Sequence, residues 1–217
     1  MEFLKDTLDW FLHLDKHLGA LIREYGTWTY LILFLIIFAE TGVVVLPLLP
    51  GDSLLFAAGM MASLGDLNVW LLILILIFGA FLGDTVNYHV GKYLGPKVFS
   101  GKVRFLKKEY LDQAQAFYEK YGGKAIIIAR FVPIVRTFAP FVAGIGQMGY
   151  LRFLAYNLVG GVVWVVGLTL AGYYLAEHEL VREHFEKIVI GIIFISILPA
   201  IIEVAKAKFG KKKEGDV

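Results

Sequence analysis

The chain has 217 residues, of which 58% are hydrophobic, and its mean hydropathy is +0.69. A soluble domain of this length has no core large enough to bury so many apolar side chains, so the composition favours a polytopic membrane protein. The formal net charge of +2 is near balance, and the lack of cysteine excludes disulfides, thiolate catalysis and cysteine metal sites.

The first quarter of the sequence predicts an amphipathic helix followed by a hairpin that does not cross the membrane. Residues 1–26 place leucines at helical spacing with charges between them, as in a helix that lies in a membrane interface. Residues 28–39 and 53–63 are apolar, but a crossing needs about 20 residues. Joined by a proline-containing turn, they predict a re-entrant hairpin over residues 27–63.

The remaining segments repeat this pattern and complete a single all-α membrane domain over residues 1–217. We predict a transmembrane helix, a basic amphipathic linker, a second re-entrant hairpin, two further transmembrane helices and a basic tail, at residues 67–88, 89–124, 125–150, 153–176, 188–205 and 206–217. Segment 89–124 has eight Lys/Arg against three acidic residues, which predicts that it and the lysine-rich C-terminus are cytoplasmic.

Short matching motifs indicate that the two hairpin units are an inverted-topology repeat. The motifs recur in the same order in both halves: Tyr25-Gly26 and Tyr121-Gly122 precede the hairpins, and Ala58-Gly59 and Ala143-Gly144 end them. With the charge distribution above, the two units start on opposite faces of the membrane. Secondary transporters use this architecture, with broken helices that meet near the midplane.

The two predicted hairpin turns carry ionisable residues of opposite sign. Glu40 and Asp52 flank the first turn, and Arg130 and Arg136 flank the second. An ionised group at the bilayer centre costs about 2.5–3.5 kcal/mol on insertion scales, so such residues usually mark a functional site. Non-helical backbone at that depth is tolerated only where it is buried inside the protein or lines a water-filled cavity. The four groups therefore predict a polar chamber inside the membrane.

The second turn has the chemistry of a phosphate site. Arg130 and Arg136 flank Pro133, and guanidinium groups bind phosphate oxygens in a bidentate fork. We expect Thr137 to cap the following half-helix, whose N-terminus also favours an anion. The alternative is that the arginines only pair with acids across the chamber.

The acidic residues are candidates for proton coupling. Glu40 lies at the C-terminal end of its half-helix, where the helix dipole disfavours a carboxylate, and Gly42 is the expected stop signal. A carboxyl held between protonated and ionised states suits a proton-coupled carrier, although a static salt bridge is the alternative. Asp52 follows Pro50-Gly51 and could instead cap its helix. Asp84, near the cytoplasmic end of its crossing, is expected to pair with an arginine of the second hairpin.

These motifs resemble those of the DedA family, whose shared domain is also called the SNARE-associated or VTT domain. The resemblance covers about residues 20–205 and rests on three signatures: Glu40 with Pro47-x-x-Pro50-Gly51-Asp52, Gly83-Asp84-x-x-x-Tyr88-x-x-Gly91, and Arg130-Phe131-x-Pro133-x-x-Arg136. It implies a bacterial inner-membrane protein with two opposed re-entrant hairpins that depends on the proton motive force. It also implies Glu40 and Asp52 as the membrane acids and Arg130 and Arg136 as the essential arginines.

Some family members are held to return undecaprenyl phosphate from the outer to the inner leaflet. The expected function is therefore a lipid-phosphate flippase coupled to protons or Na⁺, not an enzyme, with no cofactor, metal site or nucleic-acid partner. The sequence leaves open whether the protein forms a homo-oligomer. The alternatives are a proton-coupled small-ion or drug antiporter, a passive phospholipid scramblase, and a scaffold in which the charges only fix the fold.

Overall fold

The computed structural model describes residues 14–43, 51–99 and 122–178, with single residues 184, 187, 188 and 191. Within these ranges the regular structure is entirely helical, which confirms the all-α prediction for this part of the chain. The helices are α1 (Leu14–Tyr25), α2 (Trp28–Gly42), α3 (Gly51–Ser63), α4 (Val69–Phe99), α5 (Lys124–Ala129), α6 (Pro133–Ile145) and α7 (Tyr150–Leu175).

Helices α4 and α7 each contain a segment long and apolar enough to cross a membrane. These segments, Val69–Leu94 and Tyr150–Leu175, have 26 residues each, which corresponds to about 39 Å of helix. Less than half of the most apolar stretch of each segment is buried within the protein. Their exposed surface includes the large apolar side chains of Trp70, Leu74, Phe78, Leu151 and Val163.

Helix α2 runs beside the first half of α4. At one end the Tyr30 hydroxyl accepts a hydrogen bond from the Asn68 N–H at 2.7 Å. Further along, the Phe34 ring stacks on Phe78 with 6.2 Å between centroids. At the other end Gly42 meets Gly83, where an added Cβ would lie 3.3 Å from the Gly83 Cα. Helix α2 therefore ends level with the middle of α4.

Glycines allow α3 to pack directly against the second half of α7. A Cβ on Gly59 would overlap the Thr169 carbonyl, and a Cβ on Gly172 would overlap the Phe56 carbonyl. Each helix thus contributes one glycine that faces the other helix's backbone. Small residues at such crossings bring two helix axes close together.

The same arrangement joins α4 and α6. A Cβ on Gly91 would overlap the Phe141 carbonyl, and one on Gly144 would overlap the Tyr88 carbonyl. Gly59 and Gly144 belong to the two Ala-Gly motifs that recur in the halves of the sequence. Each motif packs on the long helix of the other half of the chain.

Helix α4 continues past residue 88 to Phe99, so the start of the basic segment at 89–124 is helical, as its amphipathic pattern predicts. One predicted boundary is wrong. Helix α6 begins at Pro133 and not after Thr137. Proline at the first helical position has φ preset for a helix, which fixes the earlier start.

Other predictions fall on residues outside the described ranges. These are Pro47 and Pro50 in the first turn, nearly all of the predicted crossing at 188–205, and the tail at 206–217. Of the N-terminal helix predicted over residues 1–26, the structure describes Leu14–Tyr25. Helix α2 ends at Gly42, as its glycine stop signal predicted.

The α3–α7 crossing generates a stability prediction. Gly59→Ala should lower the thermal midpoint in detergent, because overpacking against a backbone carbonyl typically costs about 1–3 kcal/mol. Gly167→Ala on α7 is the matched control, since nothing lies within 4 Å of its added Cβ. That variant should melt at the parent's temperature or above, because alanine is the better helix former. Equal melting of the two variants by circular dichroism would contradict the crossing.

Candidate functional site

Every described helix from α2 to α7, or the residue that ends it, contributes to one buried polar cluster. Four of its charged residues are almost fully buried, with exposures of 1% for Glu40, 2% for Asp84, 3% for Arg130 and 5% for Arg136. The side chain of Asp52 is 17% exposed. The structure thus brings together the five ionisable residues that the sequence selected.

Arg136 joins the two halves of the chain. Its Nη2 donates to Glu40 Oε1, and its Nη1 donates to Asp52 Oδ1 at 2.7 Å. Arg136 lies in α6, whereas its two acidic partners lie at the end of α2 and the start of α3. Charge-assisted hydrogen bonds of this kind are roughly twice as strong as neutral ones. One guanidinium therefore holds both acidic residues of the first turn.

The Glu40 carboxylate lies at the N-terminus of α3. Its Oε1 accepts a hydrogen bond from the Gly51 N–H at 3.1 Å, and a Cβ on Gly51 would overlap the carboxylate. The sequence argument placed this charge at the unfavourable end of α2, and this is wrong for the carboxylate itself. The side chain reaches across the turn to a helix N-terminus, where the dipole favours an anion.

Arg130 forms the second ion pair. Its Nη2 donates to Asp84 Oδ2 and, at 2.5 Å, to Asn157 Oδ1. Asn157 in turn donates through Nδ2 to the Phe81 carbonyl at 3.2 Å. The predicted pairing of Asp84 with an arginine of the second hairpin is confirmed. Asp84 is the sixteenth residue of the 26-residue apolar segment Val69–Leu94.

The predicted capping role of Thr137 is wrong, because α6 starts four residues earlier and its N-cap residue is Val132. Thr137 is instead buried inside α6, next to Arg136. Its carbonyl accepts a hydrogen bond from Asn87 Nδ2 at 2.7 Å, and the same amide donates to the Thr41 carbonyl at 3.2 Å. Asn87 thus connects the end of α2 to α6.

Sequence reasoning missed Asn87, Asn157 and Trp164. The two asparagines are fully buried in apolar helices, and a polar residue within such a helix was the signal that could have identified them. Tyr88, which belongs to the second signature of the family resemblance, is also fully buried. Its hydroxyl donates to the Met148 carbonyl, and its ring stacks on Phe153 with 4.5 Å between centroids.

Trp164 lies against both arginines. Its Nε1–H donates to Asp52 Oδ1 at 2.8 Å. The Cζ of Arg136 lies over its ring at 5.0 Å from the centroid, and that of Arg130 at 5.8 Å. Both distances fall within the range of cation–π attraction.

The cluster keeps unused hydrogen-bonding capacity. Arg130 Nε, Arg130 Nη1, Arg136 Nε and Glu40 Oε2 are buried and have no hydrogen-bond partner within the described residues. Buried polar groups are normally satisfied, so each such atom requires an explanation. Three of these four atoms are guanidinium nitrogens, which only donate. A bound acceptor would satisfy them.

Comparison with known proteins supports a membrane protein. A family model described as the VTT domain matches residues 49–174. Protein DedA of Escherichia coli strain K12 is 50% identical over 211 residues, which cover 96% of each chain. Inner membrane protein YqjA of the same strain is 30% identical over 190 residues, 86% of each chain. An uncharacterized membrane protein of Mycobacterium tuberculosis strain H37Rv is 43% identical over 177 residues, covering 80% of this chain and 78% of the relative. No solved structure matches the chain.

The Arg130–Asp84 pair predicts a large stability effect. Asp84→Asn should lower the free energy of unfolding by about 3–5 kcal/mol, because it leaves a buried guanidinium without its counter-charge. Asp66→Asn is the control, since Asp66 is exposed. Adding Arg130→Gln should recover part of the loss in a double-mutant cycle. Chemical unfolding in detergent measures these variants and Arg130→Gln alone, and strictly additive effects of the two substitutions would be evidence against the pair.

Proposed function

The chain belongs to the DedA family of VTT-domain membrane proteins, and from this membership we propose that it is a transporter that flips a lipid phosphate across the membrane. The substrate that we propose is undecaprenyl phosphate, returned from the outer to the inner leaflet of a bacterial cytoplasmic membrane. The observation that carries the proposal is the pair of buried arginines, which keep three unpartnered guanidinium nitrogens within the described residues. The protein acts as a carrier and not as an enzyme.

The donor geometry supports a phosphate headgroup as the ligand. Guanidinium groups match phosphate oxygens, which accept several hydrogen bonds at once. Arg130 and Arg136 lie at 5.8 and 5.0 Å from the centroid of the same tryptophan ring, and we propose that they bind one anion together. A site for a small cation needs no arginine pair. The headgroup would dock there while the polyprenyl tail stays in the bilayer.

The charge balance supports coupling to protons. Glu40, Asp52 and Asp84 face two arginines, so the fully ionised cluster carries one excess negative charge. A lipid phosphate adds more negative charge and competes with the carboxylates for the same two guanidinium charges. Protonation of Glu40, which is the least exposed of the three acids at 1%, would release Arg136 to the phosphate. Asp52 is the second proposed proton site, and Na⁺ could replace the proton.

The helix lengths and contacts support two re-entrant hairpins related as inverted repeats. Helix α2 starts level with Asn68 and ends level with the middle of α4, while α3 connects to the start of α4 through residues 64–68. The first hairpin would therefore enter and leave on one face. Arg130 and Arg136 of the second hairpin contact acids of the first half of the chain, and Arg136 reaches the tip of the first hairpin. The hairpins would rock about this shared site, and the basic linker and tail would be cytoplasmic.

Transport in proteoliposomes tests the arginine site. Arg136→Gln should slow the translocation of undecaprenyl phosphate about tenfold or more, since a hydrogen bond to a charged group is worth roughly 1.5–3 kcal/mol. Arg152→Gln, an exposed arginine at the start of α7, is the matched control and should transport like the parent. Leaflet accessibility of the labelled lipid gives the rate. Parent-like transport by Arg136→Gln would exclude the arginine from the site.

A pH gradient tests the coupling. In the parent, an imposed gradient should accelerate undecaprenyl phosphate translocation, whereas ordinary phospholipids should move slowly with or without it. Glu40→Gln should remove the acceleration, because an amide cannot ionise. If both lipids move equally fast without a gradient, the protein is a passive scramblase and the coupled mechanism is wrong.

A further inference from the structure

Trp164 contacts both ion-pair groups of the cluster. It lies near the middle of α7 and is 2% exposed. The guanidinium carbons of Arg130 and Arg136 each lie over its ring, and its Nε1–H and Arg136 Nη1 both donate to Asp52 Oδ1. Arg130 otherwise pairs with Asp84, and Arg136 with Glu40 and Asp52. Trp164 therefore bridges two otherwise separate sets of contacts.

The physical problem at this site is to keep two like charges together. Arg130 and Arg136 repel each other, and any step that takes their carboxylate partners away removes the charges that offset this repulsion. A neutral aromatic face attracts a cation without neutralising it, and in a desolvated site the attraction is large enough to change an affinity by an order of magnitude or more. Unlike a carboxylate, the ring does not compete with an incoming anion for guanidinium N–H groups.

We propose that Trp164 is a positioning residue of the anion site, and that its ring face holds both guanidinium groups in place for one phosphate. The inference rests on the proposed function and adds a residue to the same site. The indole N–H has a separate role, because it continues to hold Asp52 when Arg136 leaves this carboxylate to bind the phosphate. Affinity for a phosphate should therefore depend on the electron density of the Trp164 ring and not only on its volume.

A series of fluorinated tryptophans separates electron density from shape. Trp10, Trp28 and Trp70 are the other tryptophans of the chain and would be replaced by phenylalanine. The single-tryptophan protein, purified in detergent, would carry tryptophan or its mono-, di- or trifluoro analogues at position 164. Calorimetric titration with farnesyl monophosphate gives the dissociation constant for each. We expect stepwise weakening, about tenfold across the series.

Two substitutions complete the design. Trp164→Leu removes the ring and should weaken binding at least as much as full fluorination. Phe153→Leu truncates another fully buried aromatic residue of α7 that stacks on Tyr88 instead, and should leave the dissociation constant within about twofold of the parent's. The thermal midpoint of each variant shows whether it is folded, and the fluorinated proteins keep the parent's shape at this position.

The outcomes distinguish this inference from the proposed function. Weakening that follows fluorination supports the role of the ring face. Equal affinity across the fluorinated series overturns it, even if Trp164→Leu binds poorly, because the residue then only fills space. The phosphate site itself is wrong, and the inference with it, if the protein with ordinary tryptophan does not bind farnesyl monophosphate. The same holds if the Arg136→Gln variant binds this ligand as tightly as the protein with Arg136 does.

Discussion

The structure depends on neutralising two guanidinium groups that are buried at the meeting point of its helices. Moving an ion out of water costs several kcal/mol even after the protein relaxes, and only close counter-charges and hydrogen bonds offset this cost. Arg130 and Arg136 obtain their counter-charges from α2, α3 and α4, all in the first half of the chain. Neither half of the chain could therefore bury its own charges alone, so the packing of the two halves depends on the ion pairs of the site.

Close backbone packing makes these ion pairs geometrically possible. Gly51 has no side chain in the space that the Glu40 carboxylate occupies, and Gly160 lies against the Arg130 side chain, where an added Cβ would be 3.1 Å from its Cδ. Asn87 connects backbone carbonyls of α2 and α6 at the same level. The small residues and amide bridges fix distances that long charged side chains could not fix by themselves, because those side chains are flexible.

The sequence predicted the chemistry of the site better than its geometry. Opposite charges beside helix breaks in apolar segments identified Glu40, Asp52, Arg130 and Arg136, because ionised groups are rare at such positions. The sequence did not show which acid pairs with which arginine, since that depends on how α3 and α6 cross the long helices. Trp164 gave no signal at all: in an apolar helix, a tryptophan that touches two cations has the same sequence context as one that packs against leucines.

Under the proposed function, one group of residues would serve both stability and transport. In the proposed mechanism, a phosphate binds the guanidinium nitrogens that are unpartnered within the described residues, and it competes with the carboxylates for the same two positive charges. The ring of Trp164 contacts both guanidinium groups without occupying an N–H donor. It can therefore stay in contact with them when carboxylates are exchanged for phosphate. A site of this kind changes its anionic partners while its cations remain fixed, and a proton on an acidic residue is the smallest change that favours one partner over the other.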